Sequence, residues 1–423
     1  MELAAPIYID TQAALLAWVE RLERADIIAV DTESDSLHHY REKVCLVQMT
    51  ALGEDALIDP LAVPDLEPLA AIMHDARRTK IFHDAGYDLM SLGRDFGFRV
   101  RGIFDTMLAT RLLGHKEFGL AAVLKARFAF IADKRLQRSD WARRPLTPEQ
   151  ISYARYDTHF LPELAQQLEQ ELRALRRLEW AEEEFQRLPD VALRANPRPV
   201  GPDPDGFWRI RGVRPLSAAA KGRLRALCEM RDGIAARLDR PKFKVLGDSV
   251  VLELAQNPPT SLDDLPRPGL RRAGVERFGA EILRALADAR PVHGGPPAGV
   301  VRRRRAGRFL DADVHERFDA LRSLRREKAE ALGVDPEVAL GNAVLEDLSR
   351  RPPDSLDDVR NRPELHGWRQ EIFAEAIFAC LQSTRRLAED EAGGEPASLA
   401  SPPSGDLRPE ESAEIAVAPL ARA

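Results

Sequence analysis

The sequence predicts a mixed-sheet α/β domain followed by two small all-α domains. Three observations carry that expectation. Over the first 190 residues, three successive strand patterns with short connections give way to strands alternating with helices. Beyond residue 207 strand signals nearly vanish and helical periodicity takes over. Within that helical part, Pro258-Pro259-Thr260-Ser261-Leu262-Asp263-Asp264 returns 94 residues later as Pro352-Pro353-Asp354-Ser355-Leu356-Asp357-Asp358. The expected organisation is an α/β domain at 1–190, a proline-rich linker at 191–206 and a first helical domain at 207–290. A second linker at 291–305, a degenerate second helical domain at 306–386 and a disordered acidic tail at 387–423 complete it.

In chain order, Ile7–Ile9 reads as a short strand, and Asp10 or Thr11 can cap a helix whose apolar face is Leu15, Trp18, Val19 and Leu22. Ile27-Ile28-Ala29-Val30 is a buried strand that runs straight into Asp31-Thr32-Glu33. Val44–Met49 and Ala56–Asp59 follow as strands joined at Gly53-Glu54-Asp55, which makes an antiparallel meander. Helices are expected at Leu66–His74, from Tyr87 to a close aided by Gly93 and Gly97, and at Thr106–Leu113. Strands are expected at Lys80–His83 and Val100–Phe104. Thr147-Pro148-Glu149-Gln150 combines a capping threonine, a proline at the first helical position and a glutamine able to close a capping box. That helix should carry Tyr153 and Asp157 and stop near Pro162, with further helix from Glu163 to about Gln186. Pro189, Pro197, Pro199, Pro202 and Pro204 mark the linker. At the 94-residue offset Leu227 matches Leu321, Arg231 matches Arg325, and Leu246-Gly247 matches Leu340-Gly341.

Composition narrows the class of function. Hydrophobic content of 44% and charged content of 31% describe a soluble globular protein. The beginning of the chain has no secretory leader pattern and no apolar run suggests a membrane span, so a cytoplasmic location is expected. Cys45, Cys228 and Cys380 offer neither a zinc pattern nor a disulfide framework. The net charge of −6 is equalled by the tail alone, which holds eight acids and two bases. Residues 97–144 carry eleven Lys/Arg against four Asp/Glu, and 208–290 carry seventeen against ten. Basic stretches in a formally acidic chain point to a polyanionic partner, or to solvated helix faces.

The chemistry gathers on carboxylates. Asp31 and Glu33 lie two apart on a strand, so their side chains share a face and repel unless a cation sits between them. An exposed acidic turn would leave the same trace. Asp88 stands near a helix start, and Tyr153 and Asp157 fall at i and i+4 on one helical face. Four acids from three elements can hold two divalent cations about 4 Å apart, as two-metal phosphoryl chemistry requires.

These motifs resemble those of ribonuclease D, in the tyrosine subgroup of the DEDD 3′–5′ exonuclease superfamily. Asp133–Trp141, Arg144-Pro145-Leu146-Thr147, Gly119-Leu120, Phe104-Asp105-Thr106 and Leu57-Ile58-Asp59-Pro60 are similar to that family as well. The helical repeat resembles the helicase-and-RNase-D C-terminal (HRDC) domain, in a well-matched first copy (Arg231-Asp232, Ala236-Arg237, Asp239, Pro241) and a divergent second. The resemblance implies a ribonuclease H-like exonuclease fold, two divalent ions (Mg²⁺ or Mn²⁺), and a monomer that trims structured RNA, tRNA precursors foremost, to 5′-mononucleotides. It implies that Asp31 bridges both ions, that Glu33 and Asp157 complete the site of the water-activating ion, that Asp88 serves the second, and that Tyr153 positions the water.

Lys134, Arg135, Arg138, Arg143 and Arg144 are expected to contact the RNA backbone. Trp141 is read as core, with stacking on a base as the alternative, His83 and His159 as structural, and Asp84 as the cap of its helix or else added negative charge beside the site. Arg302–Arg305 could grip phosphate or belong to a solvated linker. Ser34 departs from the family pattern, which commonly has a bulkier residue there. A DNA-directed exonuclease and a non-catalytic RNA-binding protein are the competing readings. No Gly-x4-Gly-Lys loop is present, which argues against an ATP-driven motor.

Overall fold

The structure, a computed structural model, describes residues 4–194, 203–297, 300 and 312–393. Arg302–Arg305 and the tail beyond residue 393 lie outside the described residues.

The α/β domain is built on six strands: β1 (Ile7–Ile9), β2 (Ile27–Ser34), β3 (Val44–Ala51), β4 (Glu54–Ile58), β5 (Thr79–Phe82) and β6 (Ile103–Asp105). They are ordered β1-β4-β3-β2-β5-β6, antiparallel through β2, β3 and β4 and parallel at both edges. The expected meander is therefore the centre of the sheet. Its helices are α1 (Gln12–Leu22), α2 (Ala70–His74), α3 (Gly86–Phe96), α4 (Thr106–Leu112), α5 (Leu120–Phe128), α6 (Pro148–His159), α7 (Leu161–Ala174) and α8 (Leu178–Arg194). Thr11, not Asp10, caps α1. The expected Leu66–His74 helix opens as a 3₁₀ turn at Glu67–Leu69, where Pro68 removes a donor, before α2. Gly93 lies inside α3, and the helix ends at Gly97 in the left-handed conformation alone. Pro189, expected in the linker, lies inside α8, which continues to Arg194. Phe185 and Ala192 of that helix are buried, and this packing holds α8 together past the proline.

One face of the sheet packs Ile28 and Val30 against α1, α2 and α3. The other packs Ala29, Ile81 and Phe104 against α4, α5, α7 and α8. Because both faces are covered, every residue of β3 is buried. Strand alternation then sends Asp31 and Glu33 to the side of Ala29, and Thr32 toward α3.

The helical part repeats itself: α9 (Ala218–Arg237), α10 (Lys242–Val245), α11 (Asp248–Gln256) and α12 (Arg272–Ala287) are followed by α13 (Ala312–Leu332), α14 (Pro336–Ala339), α15 (Asn342–Arg350), α16 (Leu356–Arg360) and α17 (Gly367–Gly393). Arg231 donates to the Leu246 carbonyl and Asp248, and Arg325, 94 residues on, donates to the Leu340 carbonyl and Asn342. Arg223 to Ala255 and Arg317 to Ser349 repeat a second bond.

The two copies dock differently. In the first, Asp239 accepts from His39 and from the Tyr40 amide, and the Tyr40 hydroxyl donates to Asp232. These are polar contacts to the β2–β3 loop. The second shares one apolar core with α4, α7 and α8, with Trp180 stacked on Trp368 at 4.6 Å. Among the described residues no helix is long and apolar enough to cross a membrane.

Candidate active site

Asp31 and Glu33 leave the end of β2, and α6 crosses over them. Thr147 caps α6 and Gln150 completes the capping box, which fixes where the helix begins and so where Asp157 falls. Asp31, Glu33 and Asp157 each present a carboxylate oxygen, and these oxygens all lie within 4.8 Å of one another. Asp88, in the first turn of α3, is buried beside them, and one of its oxygens accepts from the Thr32 hydroxyl at 2.5 Å. No lysine or arginine pairs with any of the four among the described residues.

That arrangement is electrostatically costly without a cation. Burial first, then the neighbouring carboxylates, raises the proton affinity of Asp31, Glu33 and Asp88 well above the ordinary range. Asp157 is pushed up to about 7, chiefly by burial. Hard carboxylate oxygens converging in this way fit a divalent cation. Burial and the surrounding carboxylates also raise the Tyr153 phenol, whose hydroxyl is within hydrogen-bonding reach of Asp157. Trp141, fully buried as expected, packs against the Tyr153 ring with centroids 5.8 Å apart.

Several supports had partners that the sequence did not disclose. Asp105 accepts from the backbone amides of Asp84, Ala85 and Leu108, so it ties the loop before α3 to the start of α4. Asp84 is not the cap of α3: the helix begins at Gly86 with no side-chain cap, and Asp84 stands exposed at φ 68°. The reason is that the Asp105 carboxylate already fills the place beneath that loop. Ser34 meets the Tyr87 hydroxyl at 2.8 Å, and Tyr87 donates to Glu42. Partners 45 and 53 residues apart cannot be paired by reading along the chain.

The basic segment divides. Arg144 is not available to RNA: its Nε and Nη2 clasp Asp59 at 2.5 and 2.7 Å, and its remaining donors reach the Trp141, Arg143 and Cys45 carbonyls. All five N–H groups are thus used internally. Arg135 pairs with Asp133 at the surface. Arg138 and Arg143 are exposed, with no ion-pair partner among the described residues. The Lys134 side chain is outside the described set. His159 bonds Asp55, which also pairs with Arg155, and His83 bonds Thr106. Neither histidine joins the carboxylates.

Comparison with known proteins agrees with this geometry. Residues 6–173 match a 3′–5′ exonuclease family model, and residues 220–286 and 314–381 each match the HRDC domain. Ribonuclease D of Gluconacetobacter diazotrophicus is 30% identical over 389 residues, spanning 91% of this chain and 95% of the relative. Ribonuclease D of Granulibacter bethesdensis is 30% identical over 379 residues, 89% of this chain and 92% of the relative. The crystal structure of Escherichia coli RNase D, described as an exoribonuclease involved in structured RNA processing, superposes with a TM-score of 0.69 at 26% identity. That match covers 90% of this chain and 99% of the other. The catalytic core of RRP6 from Trypanosoma brucei superposes with a TM-score of 0.58 at 27% identity, covering 68% of this chain and 82% of that one.

Proposed function

The chain belongs to the ribonuclease D family, and from that premise we propose that it is a metal-dependent 3′–5′ exoribonuclease that shortens structured RNA, tRNA precursors among them, one 5′-mononucleotide at a time. The observation that carries the reading is the convergence of Asp31, Glu33 and Asp157, with Asp88 beside them and, among the described residues, no protein cation to neutralise the group. Asp31, Glu33, Asp88 and Asp157 would hold two divalent ions, Mg²⁺ or Mn²⁺. Such ions supply positive charge to the phosphate and acidify a water.

The protein's own groups do the positioning. The Tyr153 phenol, held protonated by burial and by the carboxylates, would turn its one proton from Asp157 to the attacking water, which it orients without acting as its base. Trp141 fixes that ring from behind. Thr32 holds Asp88 in one orientation. Arg138 and Arg143, exposed and without an ion-pair partner among the described residues, are the basic residues open to the phosphate backbone, with Arg135 and Lys134 adjacent in sequence. The helical repeats extend the surface available to a folded RNA. The free thiols Cys45, Cys228 and Cys380 suit a reducing cytoplasm, and we take the enzyme to act there as a monomer.

The test is incubation of the protein with 3′- and 5′-labelled RNA and DNA oligomers in Mg²⁺, Mn²⁺ or EDTA. Stepwise loss from the 3′ end of RNA is expected, abolished by EDTA and lowered about 10³-fold by Asp31→Asn. Tight binding without digestion in either metal would sink the enzymatic reading, and equal or faster trimming of DNA would reassign the substrate.

A further inference from the structure

We propose that Ser34 and Tyr87 form the seat of the terminal 2′-hydroxyl and make this site select ribose over deoxyribose; the inference rests on the exonuclease reading above. β2 and the first turn of α3 are tied by two hydroxyl bridges. The inner one, Thr32 to Asp88, is buried at the carboxylate cluster. The outer one, Ser34 to Tyr87, lies at the solvent boundary. Ser34 is one residue beyond Glu33, a step of about 3.3 Å along the strand. The register shift at this point leaves Cys45 of β3 as the extra residue, so Ser34 keeps the side of Thr32, toward α3. The outer bridge is therefore about one sugar's reach from the place where a terminal phosphate would meet the carboxylates.

Proton bookkeeping gives the bridge a direction. Tyr87 has one hydroxyl proton and donates it to Glu42, whose carboxylate is also held by Arg94 at 3.0 Å. Within the 2.8 Å contact between Ser34 and Tyr87, serine must then be the donor. Its proton is committed, and its oxygen is left able to accept a hydrogen bond. A ribose 2′-hydroxyl can donate to that oxygen, and deoxyribose has nothing to offer. Tyr87 is 42% exposed with its polar end pinned, so the ring also presents a fixed apolar face beside the sugar. A bulkier apolar residue at position 34 would supply no such acceptor.

The decisive substrates are two DNA oligomers identical except for a single 3′-terminal ribonucleotide in one of them. The full-length protein should degrade the ribo-ended oligomer with the higher kcat/KM. Ser34→Ala should lower the ribo-to-deoxy ratio about tenfold, and Tyr87→Phe, which keeps the ring and frees the serine proton, about threefold. A purely structural tie would slow both substrates together and leave the ratio unmoved. An unchanged ratio in both variants, or a wild-type ratio near one, overturns the proposal while leaving the exonuclease reading intact. If neither oligomer is cut, an all-RNA oligomer of the same sequence tells whether the exonuclease reading itself fails, and relative binding of the two oligomers in Ca²⁺ still reports whether the seat exists.

Discussion

Asp31, Glu33, Asp88 and Asp157 are held together by the fold against their own repulsion, and that sets how the protein should respond to pH. In the folded state all four bind protons more tightly than an unfolded chain would. Raised folded values stabilise fully below the ordinary carboxylate range near 4, and the contribution is lost as pH climbs through the folded values, about 7 for Asp157. The metal-free protein should therefore melt at progressively lower temperature from about pH 5 to about pH 8. Added Mn²⁺ should raise the melting temperature more at the upper end, where the carboxylates are deprotonated. A thermal-shift series in EDTA and in Mn²⁺ reads both, and a flat metal-free profile would contradict the arrangement. Arg144 teaches the complementary lesson: counted as a charge in a basic stretch it looks like a phosphate contact, yet its fork is saturated by Asp59 and three carbonyls.

At the scale of elements, the divergence of the second repeat has a structural reason. Asp239 and Pro241 of the first copy correspond, 94 residues on, to Gly333 and Asp335. In both copies this is the loop that touches the α/β domain. Asp239 binds the β2–β3 loop. The Gly333 carbonyl accepts from Arg177, which also donates to the Leu112 and Leu332 carbonyls, and Asp335 pairs with Arg111 at 2.7 Å. Substitutions that read as decay are the residues of a second, tighter docking surface. Gly114, at φ 84°, lies so close to the Gly333 carbonyl that a Cβ would collide with it. Gly114→Ala should cost about 2 kcal/mol or more through strain and that clash. Chemical denaturation measures it, and a midpoint equal to wild type would show that the two backbones can part freely.

For the whole molecule, the contrast between the two docking modes predicts unequal mobility. The second helical domain shares a continuous apolar core with α4, α7 and α8 and should unfold with them. The first is held by a handful of polar bonds centred on Tyr40, whose ring also meets its core and Lys242. Tyr40→Ala should release it: the radius of gyration from small-angle scattering should rise, while the main melting transition shifts by less than about 3 °C. An unchanged scattering curve would show that the first domain is held by more than this loop. Because the same β2–β3 loop follows directly on Ser34 and contains Glu42, movement of that domain should also act on the proposed ribose seat.

The sequence by itself determined the architecture and the chemistry of the candidate site. Apolar period 2 and period 3.6 are local properties, so the meander and the capped helix carrying Tyr153 and Asp157 were legible, as was the offset repeat. The spacing of Asp31 with Glu33, and of Tyr153 with Asp157, placed each pair on one face before any fold was known. Only the tertiary structure decided what each remaining polar group is for. Whether an arginine is free or saturated, whether an aspartate caps its own helix or braces a distant loop, and which hydroxyl meets which carboxylate depend on partners tens to hundreds of residues away. Those pairings are made by packing the sheet against its helices, and no local pattern encodes them.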